Sequence, residues 1–164
     1  MNAVVATGTT AADWGRPVDS IWIDFTKGLG APIGAVLAGS EAFIDEAWLY
    51  KHRFGGAMRQ AGIAAAGCLH ALDHHVDRLA EDHAHARTLA AGLRALGCDV
   101  VEPDTNIVFF GVEGLGLSSD EFCEKAGDAG VEFVAIGDRC RGVTHLDVDA
   151  HDIAEALSRL GEIF

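Results

Sequence analysis

An alternating apolar strand that runs straight into a lysine, and then into a row of glycines, limits what this chain can become more than any other stretch in it. In Ser20-Ile-Trp-Ile-Asp-Phe-Thr-Lys-Gly-Leu-Gly-Ala-Pro-Ile-Gly34, residues Ile21, Ile23 and Phe25 fall on one face of a strand and Trp22, Asp24 and Thr26 on the other. Lys27 then stands at the strand end, where α/β folds place their ligands. Gly28, Gly30 and Gly34 let backbone come close to whatever the lysine holds. A lysine in such a dry, glycine-walled place loses its proton more readily and becomes the usable amine that an imine with an aldehyde cofactor requires. A lysine that merely snorkels out of a strand end would leave the same pattern. A phosphate loop would not, because it needs its glycines before the lysine and Ser or Thr after it.

Charge narrows the partners. Twenty-five acidic residues against 12 Lys plus Arg give a formal charge of -13, which repels nucleic acid and anionic membrane surfaces, and no basic run offsets it locally. Any anionic group of a small-molecule substrate or cofactor must then be held by individual arginines and backbone amides, which directs attention to Arg59 and Arg141. The apolar start, Met1-Asn-Ala-Val-Val-Ala, lacks a basic flank, and no apolar run is long enough to span a bilayer, so a cytoplasmic location is expected. Cys68, Cys98, Cys123 and Cys140 are widely spaced without a Cys-x-x-Cys pair, which argues against a zinc knuckle and a redox dithiol and for free thiols. His70 and His74 stand four apart on one helix face, but the Glu of a His-Glu-x-x-His motif is absent, and no metal site is expected.

Taken in order, residues 2–6 and Thr7 to Asp13 predict a short segment entering a helix, and Gly15-Arg-Pro17 a turn before the strand at 20–26. Ala35 to Ala38 predicts a second strand paired with the first across the glycines. Phe43, Ile44, Ala47 and Trp48 share one helix face, so residues 41–53 read as a helix capped by Ser40 and ended by Gly55-Gly56. Arg59 follows at the mouth of a helix beginning Met58-Arg-Gln-Ala-Gly62, where the helix dipole would help it meet an anion; a salt bridge to one of the many carboxylates is the alternative. Two helices are expected between 61 and 96, breaking near Asp73. Strands follow at 98–102, 106–111, 131–136 and 141–145, with the apolar 106–111 central. Ser118-Ser-Asp-Glu121 is a capping box that opens a helix, and residues 149–163 form a last one with Ile153, Ala156, Leu157 and Leu160 on its inner face.

Several of these segments resemble a known family together and in its order. Thr26-Lys-Gly-Leu-Gly-Ala-Pro-Ile-Gly34, Gly55-Gly-Ala-Met-Arg-Gln-Ala-Gly62, Arg78-Leu-Ala-Glu-Asp-His83, Thr105-Asn106 and Arg141-Gly-Val-Thr-His-Leu-Asp-Val148 are similar to motifs of the low-specificity L-threonine aldolases. The resemblance covers nearly the whole chain. It implies an α/β protein of the pyridoxal-phosphate fold type I, aspartate-aminotransferase-like: residues 1–72 the tail of the cofactor-binding large domain with its lysine loop, residues 73–164 the small C-terminal α+β domain. It further implies that Lys27 carries pyridoxal 5'-phosphate, that Arg59 lies beside the cofactor, and that Arg141 grips the substrate carboxylate. The implied reaction is cleavage of threonine or allo-threonine to glycine and an aldehyde, in a homo-oligomer. The family's glycine-rich phosphate cradle, its ring-stacking histidine and the aspartate that pairs with the pyridine nitrogen have no counterpart in these residues. A silent fragment or subunit of such an enzyme is therefore one alternative, and another fold type I lyase is a second.

Overall fold

The alternation after Asp19 is realised as strand β1 (Ser20–Asp24), which returns through the glycine loop as β2 (Ala35–Gly39), antiparallel, with Ser20 opposite Gly39 and Asp24 opposite Ala35. The computed structural model describes residues 1–164, and these divide into two units, Met1–Arg78 and Leu79–Phe164. In the first, two short helices precede the hairpin, α1 (Asn2–Thr7) and α2 (Ala11–Gly15). Residues 2–7 are thus helical themselves, not a lead-in: Gly8, at φ 68°, closes α1 in the left-handed conformation, and the Thr10 side chain opens α2 by accepting the Asp13 N–H at 3.2 Å.

Helix α3 (Glu41–Arg53) has the expected limits. Ser40 accepts the Phe43 N–H at 3.3 Å, and Lys51 and Arg53 place cations at the negative end of the helix dipole. Helix α4 (Ala61–His74) begins at residue 61, where the helical stretch is expected, and not at Met58, because Gln60 takes φ 55° and interrupts the helical path; it is the only residue other than glycine with positive φ. The chain leaves α4 at His74 and turns at 75–78, a little beyond the expected break at Asp73. Neither hairpin strand nor α3 buries a residue. The buried side chains of this unit are Phe25, Leu29 and Ala31 from the glycine loop and Cys68 and Ala71 from α4.

The second unit is a four-stranded antiparallel sheet with helices packed on one face. Helix α5 (Leu79–Ala95) leads to β3 (Asp99–Val100) and β4 (Ile107–Gly111); α6 (Ser119–Asp128), β5 (Val134–Ile136), β6 (Arg139–Val143) and α7 (Ala150–Ile163) follow. The strand order is β3-β4-β6-β5, so the apolar β4 is interior, as its composition predicts. The capping box at Ser118 and Glu121 is formed, and Asp149 and Asp152 make a second one that opens α7. Strand β3 is shorter than the sequence suggests, with Pro103, which has no N–H for a ladder, close behind it. Strand β6 begins two residues early because Gly137, at φ 63°, opens a two-residue turn out of β5.

Phe110, Phe122 and Phe133 meet with ring centroids 5.2–5.8 Å apart. Around them, Leu89 and Leu93 of α5, Val108 of β4, Cys140 of β6, and Ile153 and Leu160 of α7 close the core. A Cβ at Gly92 would fall 2.3 Å from Leu157 Cδ2, so it is the missing side chain on α5 that admits Leu157 of α7. The opposite sheet face carries no such cover: Ile107, Val134, Ile136 and Val143 are exposed there, and Arg139 and Arg141 point to the same side.

Candidate functional site

Lys27 lies three residues past the end of β1, in a loop whose backbone is tightly tied. Phe25 N–H donates to Gly34 O at 3.1 Å, Ala31 N–H to Phe25 O at 2.8 Å, and Gly30 N–H to Lys27 O at 2.8 Å. Helix α4 holds the same loop from the side. His75 Nδ1–H donates to Leu29 O at 2.6 Å, Cys68 Sγ–H donates to Ile33 O at 3.4 Å, and Pro32 lies against Gly67. A Cβ on Gly34 would sit 2.9 Å from Cys68 Sγ, so at this glycine the close approach serves α4. The loop is thus a fixed mount for the lysine side chain.

The lysine itself is not in a dry pocket, which corrects the expectation from sequence. Its side chain is 75% exposed, and its amine is ion-paired with Asp24 Oδ2. Asp24 is the better sheltered partner, at 16% side-chain exposure, because it also accepts from Thr26 N–H at 2.8 Å and Thr26 Oγ1–H at 2.6 Å. The Lys27 ammonium, then the two Thr26 donors, hold the Asp24 carboxyl down to about 2 from 3.8. A depressed carboxylate pKa adds stability that is complete above the unfolded value, near pH 4, and is lost as the pH falls through about 2. A carbon-13 NMR titration of the Asp24 carboxyl should therefore give a midpoint near 2; a midpoint near 4 would mean that the pair does not persist in solution.

Arg59 lies exposed in the turn that precedes α4, next to the strained Gln60, with no hydrogen bond or ion pair on its guanidinium. No side chain caps the α4 N-terminus. The arginine is therefore free for an anion, although it stands before the helix, not inside its first turn.

Arg141 is placed by cross-strand register. On β6 it lies opposite Phe109 of β4 on one side and Val134 of β5 on the other, in the middle of the uncovered sheet face. Directly opposed residues share a face, so both neighbours are apolar and line its stem. Its Nε is buried without a hydrogen-bond partner. An unsatisfied buried donor costs roughly 1–3 kcal/mol, and an acceptor that fills the position recovers it. Arg139, two residues away on the same face, likewise has a buried nitrogen without a partner, its Nη1, but its Nη2 donates to Asp99 Oδ2 at 2.9 Å. Of the two arginines, only Arg141 has no carboxylate of its own.

Lys27 and Arg59 thus belong to the first unit and Arg141 to the second. Two participants went unnoticed in the sequence. Asp24 had a usable signal, as an acid three residues before the lysine. His75 had none, since its partner Leu29 lies 46 residues away.

Comparison with known proteins places these features in context. A family model described as beta-eliminating lyase matches residues 1–114. The low specificity L-threonine aldolase of Escherichia coli O157:H7 is 39% identical over 154 residues, which are 94% of this chain and 45% of the relative. The chain therefore spans about half the length of the curated relatives it matches. A crystal structure of a candidate L-allo-threonine aldolase from Listeria monocytogenes EGD-E superposes with a TM-score of 0.74 at 22% identity, covering 99% of this chain and 49% of that one. Aspartate aminotransferase from Thermotoga maritima superposes at 0.72 with 19% identity, covering 98% and 45%. The fold is that of these fold type I enzymes.

Proposed function

Because the chain belongs to the beta-eliminating lyase family, we propose that it supplies the lysine-bearing and carboxylate-binding portion of a pyridoxal-phosphate-dependent aldolase. The enzyme would cleave threonine or allo-threonine to glycine and an aldehyde. The observation that carries this reading is the Lys27 loop: a solvent-reachable amine on a backbone pinned by α4 and poised by a single carboxylate.

The residues present offer an amine for the cofactor's aldehyde and cations for anionic groups, while none supplies the family's phosphate cradle or ring partners. Lys27 would hold pyridoxal phosphate covalently through its amine, and Arg59 would face the cofactor as an unpaired cation. The orphaned Nε of Arg141 suits a substrate carboxylate. When bound, the cofactor supplies the electron sink for the pair left on Cα as the Cα–Cβ bond breaks. Asp24 would hold the Lys27 ammonium in place through their ion pair, and the proton that the amine must lose before it can bind an aldehyde would go to solvent. Arg141, with its planar fork, would fix the carboxylate end of the substrate and thereby decide which bond on Cα is aligned for cleavage. A cytoplasmic homo-oligomer is part of the same reading.

The test is a chimera in which this chain replaces the matching half of the Escherichia coli relative. It should release glycine from threonine or allo-threonine in the presence of pyridoxal phosphate. A folded chimera that neither does so nor takes up the cofactor would overturn the proposal.

A second reading, that the 164-residue chain is silent by itself, is favoured by its exposed apolar surface. In the first unit Trp22, Val36, Trp48, Phe54 and Ile63 are all at least half exposed, Phe54 and Ile63 by 80% or more. Soluble monomers rarely expose apolar residues of this size in such number. The isolated chain is therefore expected to self-associate in sedimentation velocity and to release no glycine. A monodisperse monomer with aldolase turnover would refute this.

A further inference from the structure

Two of the four free thiols, 17 residues apart in sequence, lie against each other in the second unit. Cys123 Sγ–H on α6 points at Cys140 Sγ on β6, 3.7 Å away. Cys140 is wholly buried, with its own S–H directed at Ser119 O at 3.6 Å, whereas Cys123 is partly open to solvent. A disulfide needs about 2.04 Å between the sulfurs, so the two side chains have to move together from this contact for the bond to form.

We propose that Cys123 and Cys140 form a modification site that closes to an intramolecular disulfide in the presence of a small-molecule disulfide such as oxidised glutathione. The difference in exposure orders the two steps. The Cys123 thiolate attacks one sulfur of the small disulfide and breaks its S–S bond, and the displaced thiolate takes up the proton that Cys123 gave to solvent. Cys140, once deprotonated, attacks the Cys123 sulfur of the mixed disulfide and expels the second small thiol in the same way. Two protein thiols lose two electrons and two protons, and one small disulfide becomes two thiols.

Burial sets the pace. It pushes Cys140 up to about 12 and Cys123 above its ordinary value, so little thiolate is present at neutral pH and closure accelerates as the pH rises. Thiols of high pKa are also poor leaving groups, which makes the closed form slow to reopen. Because Cys140 adjoins Arg141 on β6, the bond would tie the strand that presents Arg141 to α6.

The folded chain treated with excess oxidised glutathione, alkylated in denaturant and weighed, should lose the mass of two hydrogens and show two alkylatable thiols instead of four. A glutamate-specific protease cuts after Glu81, between Cys68 and Cys98, after Glu113 and Glu121, between Cys98 and Cys123, and after Glu124 and Glu132, between Cys123 and Cys140, so each cysteine falls in its own peptide. The cross-linked peptide should contain Cys123 and Cys140. It should disappear in Cys123→Ser, persist in Cys68→Ser, and give way to mixed pairings when the oxidation is done in urea. Four remaining thiols in the folded chain, a glutathione adduct that stays on Cys123, or a link to Cys68 or Cys98 instead would overturn the proposal. The map of the unsubstituted chain decides this even if a variant fails to fold.

Discussion

Replacing Lys27 by alanine in the chimera should lower aldolase turnover by about three orders of magnitude or more, roughly 4 kcal/mol on the barrier. The size follows from what would be lost: the amine proposed to hold the cofactor in register with the substrate. Lys51 is on α3, and Lys125 is on α6 in the other unit. Borohydride reduction of the unsubstituted chimera followed by peptide mapping should leave the pyridoxyl group on Lys27. A label on Lys51 or Lys125 would sink the assignment. Lys27→Arg separates a chemical role from a structural one, because arginine can keep the ion pair with Asp24 but cannot bind an aldehyde. It should fold with the stability of the parent and be as inactive as Lys27→Ala.

Arg141→Ala should cost about 2 to 5 kcal/mol in transition-state binding, the range for removing one partner of a desolvated, hydrogen-bonded charge pair. In kcat/KM that is a fall from tens-fold to several thousand-fold. Cofactor uptake at Lys27 should be unaffected, since the role proposed for Arg141 is toward the substrate carboxylate and not the cofactor. Arg141→Lys should recover only a small part, because an ammonium cannot reproduce a planar two-point contact. Arg139→Ala is the internal control: that guanidinium already has Asp99, and its loss should change kcat/KM little. Unchanged kcat/KM for threonine in Arg141→Ala would refute carboxylate binding. Equal losses at Arg139 and Arg141 would instead indicate a general effect of charge on the sheet face.

Much of the fold was legible because it is written in short-range chemistry. Ser40, Ser118 and Asp149 each mark a helix start by a side chain that accepts a backbone N–H two or three residues on, and such signals need no tertiary context. The inner face of α7 followed from the spacing of Ile153, Ala156, Leu157 and Leu160, of which Ile153 and Leu160 are buried and the other two half-buried. Strand limits were less legible. β6 starts where the Gly137 turn delivers it, and the sequence reading, which tracked side-chain pattern, placed the start at Arg141. At α4 a single strained residue, Gln60, shifted the helix start, and nothing about a glutamine announces positive φ.

The glycines around Lys27 show where local reasoning stops. A lysine at a strand end beside glycines is a local pattern, and it drew attention to this loop. Which neighbour those glycines make room for is a question of what packs there, and the answer for Gly34 is Cys68 of α4, 34 residues further along the chain. The same holds for the exposure of the lysine, for the carbonyl of Leu29 held by His75, and for the contact of Cys123 with Cys140. Caps, turns and amphipathic faces arise from residues within a few positions of one another, whose geometry the backbone imposes directly. Burial, register and long-range pairing arise when distant segments are brought together, so the environment of Lys27, the orphaned nitrogen of Arg141 and the thiol pair exist only in the assembled sheet and helices.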